Sequence, residues 1–166
     1  YDTYADNGSG AGEIDRIVAA AGSAAVDIGL TSFSAAATGI EVIDATASTG
    51  AVRLLGNWDN NLLNFSGVSF LGGNIRIDAG SGNDTVTGSA ANDTILGGSG
   101  DDLLNGAGGS DTYEVSGNTT SGFGGYDTYA DNGSGAGEID RIVAAAGSAA
   151  VDIGLTSFSA AATGIE

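Results

Sequence analysis

Short runs rich in Val, Ile, Leu or Tyr recur along the chain, and turn residues (Gly, Ser, Asn and Asp) separate them. Examples are DRIVA at 15–19, IEVID at 40–44 and a second DRIVA at 140–144. Runs of four to six residues with this composition are typical of β-strands. No stretch keeps apolar residues at helical spacing for long, since the Ala-rich segment 18–26 is interrupted by Gly22 and lacks capping residues. The pattern therefore predicts an all-β fold.

The runs are also closely spaced. Eleven of them fall in the 125 residues that begin at Asp15, when LLNFSG (62–67) and the adjoining VSF are counted as one run, so the mean spacing is just over eleven residues. That interval leaves no room for the helical crossover that usually joins parallel strands. It suits a parallel coil in which the chain turns a corner after every strand. With about two strands per turn, we expect about six turns in 125 residues. At about 4.8 Å per turn, these turns would rise about 29 Å along the axis of the coil.

A long repeat frames this pattern. Residues 1–41 and 126–166 are identical, with an offset of 125 residues. Identity over 41 residues exceeds what a fold requires and indicates a tandem array with neighbouring units at both ends, with an artificial join as the alternative. We expect 1–125 to be one unit and 126–166 to be the start of the next. Adjacent identical units are the expected partners, and end-to-end self-association is a further expectation because unpaired strand edges recruit one another.

Charge and composition narrow the function. Four Arg residues and no Lys stand against 21 Asp and Glu, for a net charge of −17 that would repel nucleic acid. No run of 18 apolar residues occurs, so we expect no membrane insertion. The chain has no His or Cys for zinc or triad chemistry, and its carboxylates are spread along the coil, so we expect no enzyme activity. An acidic surface suits calcium, which prefers carboxylate and carbonyl oxygens, although charge that only keeps the protein soluble is the alternative.

The most regular pattern lies at 79–114, where four nine-residue blocks follow one another: AGSGNDTVT, GSAANDTIL, GGSGDDLLN and GAGGSDTYE. Small residues mostly fill the first four places, Asp takes the sixth, and an apolar or aromatic residue takes the eighth. If two blocks make one turn, residues 18 apart stack, which puts Asp84 with Asp102 and Asp93 with Asp111 on opposite edges. Stacked carboxylates repel unless a cation lies between them. Because Gly allows the turn backbone to point carbonyls inwards, the blocks predict calcium sites, whereas Mg²⁺ would require a tighter octahedron.

These blocks resemble the calcium-binding nonapeptide of the repeats-in-toxin (RTX) family, GGxGxDxUx with U large and apolar. The block at 97–105 matches every defined place, and the block at 79–87 departs only at the first. The block at 88–96 lacks the second and fourth glycines, and the block at 106–114 lacks the second. The resemblance extends to GFGGYDTYA at 122–130 and implies a right-handed parallel β-roll or β-helix solenoid with calcium in its turns. The metal-binding residues that it implies are Asp84, Asp93, Asp102, Asp111, Asp127, Gly80, Gly82, Gly97, Gly98, Gly100, Gly106 and Gly108.

Ordinary turn chemistry is the alternative for these aspartates, because Asn-Asp and Gly-Asp are common turn sequences. It is a stronger alternative for Asp127, since residues 115–121 break the nine-residue phase before it. It is the favoured interpretation for Asp140, which lies in the weaker echo GAGEIDRIV, and for its copy Asp15.

The sequence also makes predictions for other polar and aromatic residues of the turns. The fifth-place residues Asn83, Asn92 and Asp101 are expected to face solvent. Trp58, in GNWDNN, is expected to cover a corner of the coil with its ring, with ligand stacking as the alternative, and Asp59 is expected to be a turn residue.

Within one unit we expect mostly calcium-free solenoid turns at 1–78, the calcium roll at 79–114 and a connecting loop at 115–125. The resemblance implies a calcium-stabilised structural repeat of a secreted bacterial surface protein, such as an adhesin stalk, an extracellular filament or a surface layer. Such proteins leave the cell by type I secretion and fold on calcium binding outside it. The alternative is the C-terminal calcium-binding domain of a secreted RTX enzyme, such as a protease or lipase.

Overall fold

The computed structural model describes residues 13–116, 125–130, 132, 137–148 and 153–154. Within these residues the chain forms short strands and one helical turn, α1 (Ala35–Thr38), which ends at the left-handed Gly39. The strands are β1 (Asp15–Val18), β2 (Ala25–Gly29), β3 (Phe33–Ser34), β4 (Ile40–Asp44), β5 (Ala51–Leu55), β6 (Leu62–Asn64), β7 (Ser69–Leu71), β8 (Ile75–Ser81), β9 (Thr85–Thr87), β10 (Thr94–Ser99), β11 (Leu103–Asn105), β12 (Thr112–Val115), β13 (Thr128–Ala130) and β14 (Arg141–Ala144).

All the strand pairs are parallel, and they form three sheets. One sheet has three strands in the order β1-β4-β7, a second has six in the order β14-β12-β10-β8-β5-β2, and a third has five in the order β13-β11-β9-β6-β3. Strands that neighbour each other in a sheet come from successive turns of the coil. The all-β parallel solenoid predicted from the sequence is confirmed.

The number of strands per turn changes along the chain. From β1 to β9 each turn contributes one strand to each of the three sheets, so the expected two strands per turn is wrong here. From β10 onward each turn contributes only two strands. Partners between β8 and β12 lie 18 residues apart, as Ile77 with Ile95 and Thr94 with Thr112, whereas β13 and β14 pair with β11 and β12 at offsets of 25 and 29 residues. We call residues 13–74 the three-sheet region and residues 75–116 the roll. The mean spacing of apolar runs is similar in both parts, so spacing alone did not reveal how many corners close a turn.

One apolar run counted in the sequence is two strands in the structure. LLNFSG and VSF separate into β6 and β7, which lie in different sheets. Between them the chain turns at Ser66 and at Gly67, which has a φ of +88°. Ser66 donates both its N–H and its hydroxyl to Asn64 Oδ1, at 2.9 and 2.6 Å. A corner of this kind creates the third sheet.

The core lies inside the coil, and its width follows the number of sheets. In the three-sheet region it holds two stacked phenylalanines, Phe33 and Phe65, with ring centroids 4.9 Å apart, beside buried residues such as Ile43. In the roll each turn buries mainly one eighth-place side chain from each of the two sheets. These side chains are Val86, Ile95, Leu104 and Tyr113, all buried.

The second copy of the repeated sequence is described only in part. The nonapeptide places at 122–124, the loop at 117–121 and most of 149–166 lie outside the described residues. The described strands β13 and β14 pair with β11 and β12 and so continue the two long sheets. The identical segments DRIV at 15–18 and 140–143 occupy different sheets, because β1 pairs with β4 in the three-stranded sheet whereas β14 pairs with β12 in the six-stranded one.

Candidate metal centre

A ladder of sixth-place side chains runs along one edge of the coil. The backbone N–H of Asp84 donates to Oδ1 of Asp102 at 2.8 Å, and the N–H of Asp102 donates to Oδ1 of Asp127 at 3.2 Å. The ladder begins one turn earlier, where the N–H of Asn61 donates to Oδ1 of Asp84 at 2.7 Å. Each carboxylate therefore lies between its own loop and the loop of the preceding turn.

A second ladder runs along the opposite edge. The N–H of Asp93 donates to Oδ1 of Asp111 at 2.8 Å, and the N–H of Asp111 donates to Oδ1 of Asp140 at 2.6 Å. The structure thus brings together Asp84 with Asp102 and Asp93 with Asp111, the two pairs that an 18-residue turn requires. It also places Asp140 in the second ladder, where ordinary turn chemistry was the favoured interpretation. Asp15, its copy, is only partly buried and its N–H donates to Glu41 Oε2 at 2.9 Å.

The carboxylates of Asp84 and Asp102 are buried in a way that demands a counter-charge. Both residues are 1% exposed, and Oδ2 of each is buried without a hydrogen-bond partner. Burial raises the pKa of Asp84 to about 6, against the lowering effect of the Asn61 N–H. Burial, with a smaller contribution from the charges of Asp127, Asp84 and Asp101, raises the pKa of Asp102 to about 7. A carboxylate in this setting is stable either with a proton or with a bound cation.

The glycines of these loops are required by backbone conformation. Gly80 and Gly82 have φ of +104° and +108°, and Gly98 and Gly100 have φ of +108° and +123°, values that L side chains rarely adopt. A Cβ on Gly98 would collide with the carbonyl oxygen of Gly80, and one on Gly100 would collide with that of Gly82. The second- and fourth-place carbonyls are therefore stacked closely from one turn to the next.

First-place glycines leave room for the carboxylates themselves. A Cβ on Gly97 would collide with Oδ2 of Asp102, and a Cβ on Gly106 would collide with Oδ2 of Asp111. Gly108 shows no such need, since nothing lies closer than 3.8 Å to its Cβ position. In that loop the left-handed conformations belong to Ala107, with φ of 76°, and to Gly109, with φ of 103°.

The loop at 88–93 satisfies its aspartate internally. The N–H of Ser89 donates to Oδ2 of Asp93 at 2.6 Å, and the Ser89 hydroxyl lies 3.1 Å from each carboxylate oxygen. None of the non-glycine residues of this loop has a positive φ. Burial raises the pKa of Asp93 to about 6, and the Ser89 hydrogen bonds oppose that rise. This loop lacks the second and fourth glycines. Its Ser89 side chain contacts the carboxylate oxygens of Asp93, which a cation would otherwise bind.

The residues present fit calcium. Among the described residues no three acidic side chains converge on one point, so backbone carbonyls must supply most of the oxygens. Calcium accepts six to eight oxygens, including carbonyls, in flexible geometry. The loops at 79–84 and 97–102 offer a buried carboxylate oxygen without a partner and stacked second- and fourth-place carbonyls. When bound, the ion would supply the positive charge that these buried carboxylates lack.

Fifth-place residues form a ladder that the sequence did not reveal. Asn83, Asn92 and Asp101 are exposed, as predicted. Their side chains nevertheless connect the turns, because Asn83 Oδ1 accepts from the N–H of Asp101 at 3.1 Å and Asn92 Oδ1 accepts from the N–H of Ser110 at 2.8 Å. The polar residue at the fifth place of all four blocks, immediately before each Asp, is the signal that could have predicted it.

Trp58 and Asp59 lie in the turn before Asn61, where the first ladder begins. Trp58 is 87% exposed, so its ring does not cover a corner of the coil as expected. Asp59 is a turn residue, as predicted, since its N–H donates to Asn57 Oδ1 at 2.9 Å and its Oδ2 accepts from Asn57 Nδ2 at the same distance.

The fold and these loops define a parallel β-solenoid whose turns are built to hold cations. Residues 78–113 match the family model described as the RTX calcium-binding nonapeptide repeat in four copies, so this part of the chain is an RTX repeat. Repeats of this family bind calcium, which is the cofactor predicted from the sequence. The match covers 36 of the 166 residues. No curated protein and no solved structure matches the chain.

Proposed function

We propose that this chain is a calcium-stabilised structural repeat of a secreted bacterial surface protein, such as an adhesin stalk, an extracellular filament or a surface layer. RTX repeats are typical of extracellular proteins exported by type I secretion, and the matched repeat is a structural, non-catalytic element. Within the described residues, no helix is long and apolar enough to cross a membrane.

The buried partnerless oxygens of Asp84 and Asp102 carry this proposal. In low calcium these carboxylates repel one another and resist burial, so the roll stays unfolded and the chain remains fit for export. Outside the cell, calcium fills the loops, and each ion stabilises the folded state by mass action. The exact repeat of residues 1–41 favours a tandem structural array, in which the two long sheets continue through β13 and β14 into the next unit.

A calcium titration followed by circular dichroism tests the proposal. We expect the β-structure signal to increase as calcium is added and the roll folds, and to decrease on adding EGTA, whereas magnesium at the same concentration has little effect. A full β-spectrum that persists in EGTA contradicts calcium-coupled folding.

The alternative function is the C-terminal calcium-binding domain of a secreted RTX enzyme. Electron microscopy of the secreted material, with and without EGTA, distinguishes the two. A structural array gives calcium-dependent rods or filaments, whereas an enzyme domain gives single compact particles.

A further inference from the structure

The segment 56–64 (GNWDNNLLN) occupies the position of an additional nonapeptide, although it lies outside the family match. Its strand β6 pairs with β9 in the register Leu63 with Val86, and β9 pairs with β11 in the register Val86 with Leu104. By this register Gly56 takes the first place, Asn61 the sixth and Leu63 the eighth. The nine-residue phase is broken between this segment and the block at 79–87, so a search for consecutive nonapeptides does not find it.

The loop at 56–61 contacts the loop at 79–84 as the loop at 79–84 contacts the loop at 97–102. We call the space between the first two loops the first gap, and the space between the second two the second gap. At the sixth place, Asn61 N–H donates to Asp84 Oδ1 in the first gap, as Asp84 N–H does to Asp102 Oδ1 in the second. At the fifth place, the N–H of Asn83 donates to Asn60 Oδ1 at 2.8 Å, which repeats the bond from Asp101 to Asn83.

The carbonyls of the two gaps are stacked alike. The carbonyl oxygens of Asn57 and Asp59 lie against Gly80 and Gly82, at 2.5 and 2.6 Å from the position that a Cβ would take. The carbonyls of Gly80 and Gly82 lie in the same way against the glycines of the next turn. The loop at 56–61 therefore presents the same second- and fourth-place oxygens without having glycine at either place.

The first gap also holds a buried polar atom that no protein group satisfies. Asp84 directs its carboxylate towards the loop at 56–61, since its Oδ1 accepts the Asn61 N–H. Its Oδ2 is buried without a hydrogen-bond partner, in a residue that is 1% exposed. This atom points to a ligand independently of the loop geometry.

The spaces beyond the two gaps are closed by protein groups instead. Before the first gap, the carboxamide of Asn61 donates from Nδ2 to Thr31 O at 2.9 Å and to Asn57 Oδ1 at 2.7 Å. After the second gap, the hydroxyl of Tyr129 donates to Asp127 Oδ2 at 3.1 Å. Along this edge, the partnerless carboxylate oxygens are those of Asp84 and Asp102, one for each gap.

We propose that the first gap is a calcium site, with the carboxylate of Asp84 and the carbonyls of Asn57 and Asp59 facing one ion. The roll then has one site more on this edge than consecutive nonapeptides would provide, and the additional site joins it to the three-sheet region. The row of ions ends at Asn61, because its neutral carboxamide fills the space before the first gap and bonds to protein groups there instead of to a cation. This inference rests on the proposed calcium-dependent folding.

Trp58 makes the site directly observable, because it is the only tryptophan and lies in the loop at 56–61. Tb³⁺, a calcium surrogate, emits strongly when an excited indole is close to it. We expect Tb³⁺ added to the calcium-free 166-residue protein to show emission on selective tryptophan excitation, and calcium to compete it away. Asp84→Asn should remove most of this emission. The matched variant Asp102→Asn should keep most of it, since the second gap lies about 4.8 Å further along the coil and transfer falls steeply with distance.

Trp58→Phe serves as the control for the donor and should abolish the emission while Tb³⁺ still binds. Unchanged emission in Asp84→Asn, or a larger loss in Asp102→Asn, overturns the proposed site. Should Asp84→Asn fail to fold, anomalous diffraction from crystals of the unaltered protein with Tb³⁺ decides. A Tb³⁺ ion bonded to Asp84 Oδ2 between the two loops supports the site, and a Tb³⁺ ion in the second gap with none in the first overturns it.

The same experiments separate this inference from the proposed function. A protein that folds on adding calcium but shows no Asp84-dependent emission retains the proposed function and loses the site. A protein that is fully folded in EGTA and still shows this emission retains the site and loses calcium-coupled folding.

Discussion

The three-sheet region and the roll share two continuous sheets but differ in what they bury. The three-sheet region closes each turn with three strands around a wide apolar core that includes Phe33 and Phe65. The roll closes each turn with two strands around a narrow core, and it buries carboxylates at its edges. The buried aspartates of the described residues all lie in the roll or immediately before β13 and β14, the strands that continue its sheets.

This difference shows how the removal of one strand per turn changes the source of stability. A turn with a third sheet encloses enough apolar side chains to stabilise itself, since burial of each large side chain contributes about 1.5–3 kcal/mol. A two-strand turn of 18 residues encloses about two, and its Gly-rich loops have a high conformational entropy when unfolded. We therefore expect the folding of the roll, but not that of the three-sheet region, to depend on a bound cation.

Removal of calcium should separate the two regions most strongly. We expect EGTA to abolish hydrogen-exchange protection in β9–β12 and to leave β4–β6 protected, because each ion lost removes about 4 kcal/mol when calcium is about 1,000 times its Kd. Hydrogen exchange measured by mass spectrometry with and without calcium checks this. Equal loss of protection in both regions would show that they unfold as one unit and would contradict the comparison.

Truncation of the wide core should give the next largest effect. Phe65 is 0% exposed and stacks on Phe33, so Phe65→Ala should destabilise the protein by about 3–5 kcal/mol. The loss should be the same at low and at high calcium, as measured by urea denaturation. Leu104→Ala is the matched truncation in the roll and should cost about 2–5 kcal/mol only when calcium holds the roll folded. Rescue of Phe65→Ala by added calcium would contradict the assignment of calcium dependence to the roll.

The change in folding stability as pH rises should have opposite signs without and with calcium. The pKa values of Asp84 and Asp93 are raised to about 6 and that of Asp102 to about 7, so without calcium the folded state favours the protonated carboxylates. Stability from this source is complete below the ordinary carboxyl pKa and is lost as pH rises through about 6 to 7. We expect thermal unfolding without calcium to show a loss on the order of 2 kcal/mol across this range. With saturating calcium the slope should reverse, because protons compete with the ion. The same sign under both conditions would exclude these carboxylates as the calcium-linked groups.

The loop at 88–93 should give the smallest effect. Ser89→Ala removes the hydroxyl that lies 3.1 Å from both Asp93 oxygens and should cost about 1 kcal/mol in calcium-free protein held folded at low pH. The exposed Ser99, in the loop at 97–102, is the matched control, and Ser99→Ala should change stability by less than about 0.5 kcal/mol. Equal effects of the two variants in thermal unfolding would show that Ser89 does not substitute for a cation.

The sequence predicted the part of the fold in which the residue count fixes the geometry. When two blocks of nine make one turn, residues 18 apart pair, so the stacking of Asp84 with Asp102 follows from counting. The third sheet did not follow, because the spacing of apolar runs sets the length of each strand and not the angle of each corner. At β6 and β7 the corner depends on Ser66 and Gly67, which interrupt an otherwise continuous apolar run.

The candidate site was predictable where the phase was unbroken and less so beyond it. Asn61 was missed because the phase is lost before the block at 79–87 and because an amide stands in place of the carboxylate. For Asp140 the sequence favours an ordinary turn residue, since its block is a weaker echo of the nonapeptide and has a Glu at the fourth place. Only pairing with the preceding turn, through the Asp111 N–H, shows that it continues the ladder.

The two copies of DRIV show that a strand's place in this coil is relative. In the first copy these residues form β1 in the three-stranded sheet, whereas in the second copy β14 pairs with β12 in the six-stranded sheet. Asp15 is half-buried in one copy, and its twin Asp140 is fully buried in the other. The sequence of such a segment thus allows it to form a strand but does not specify its sheet, because the sheet is determined by the strand of the preceding turn with which it pairs. In an array of such units, the position of each turn is therefore set by its pairing with the preceding turn.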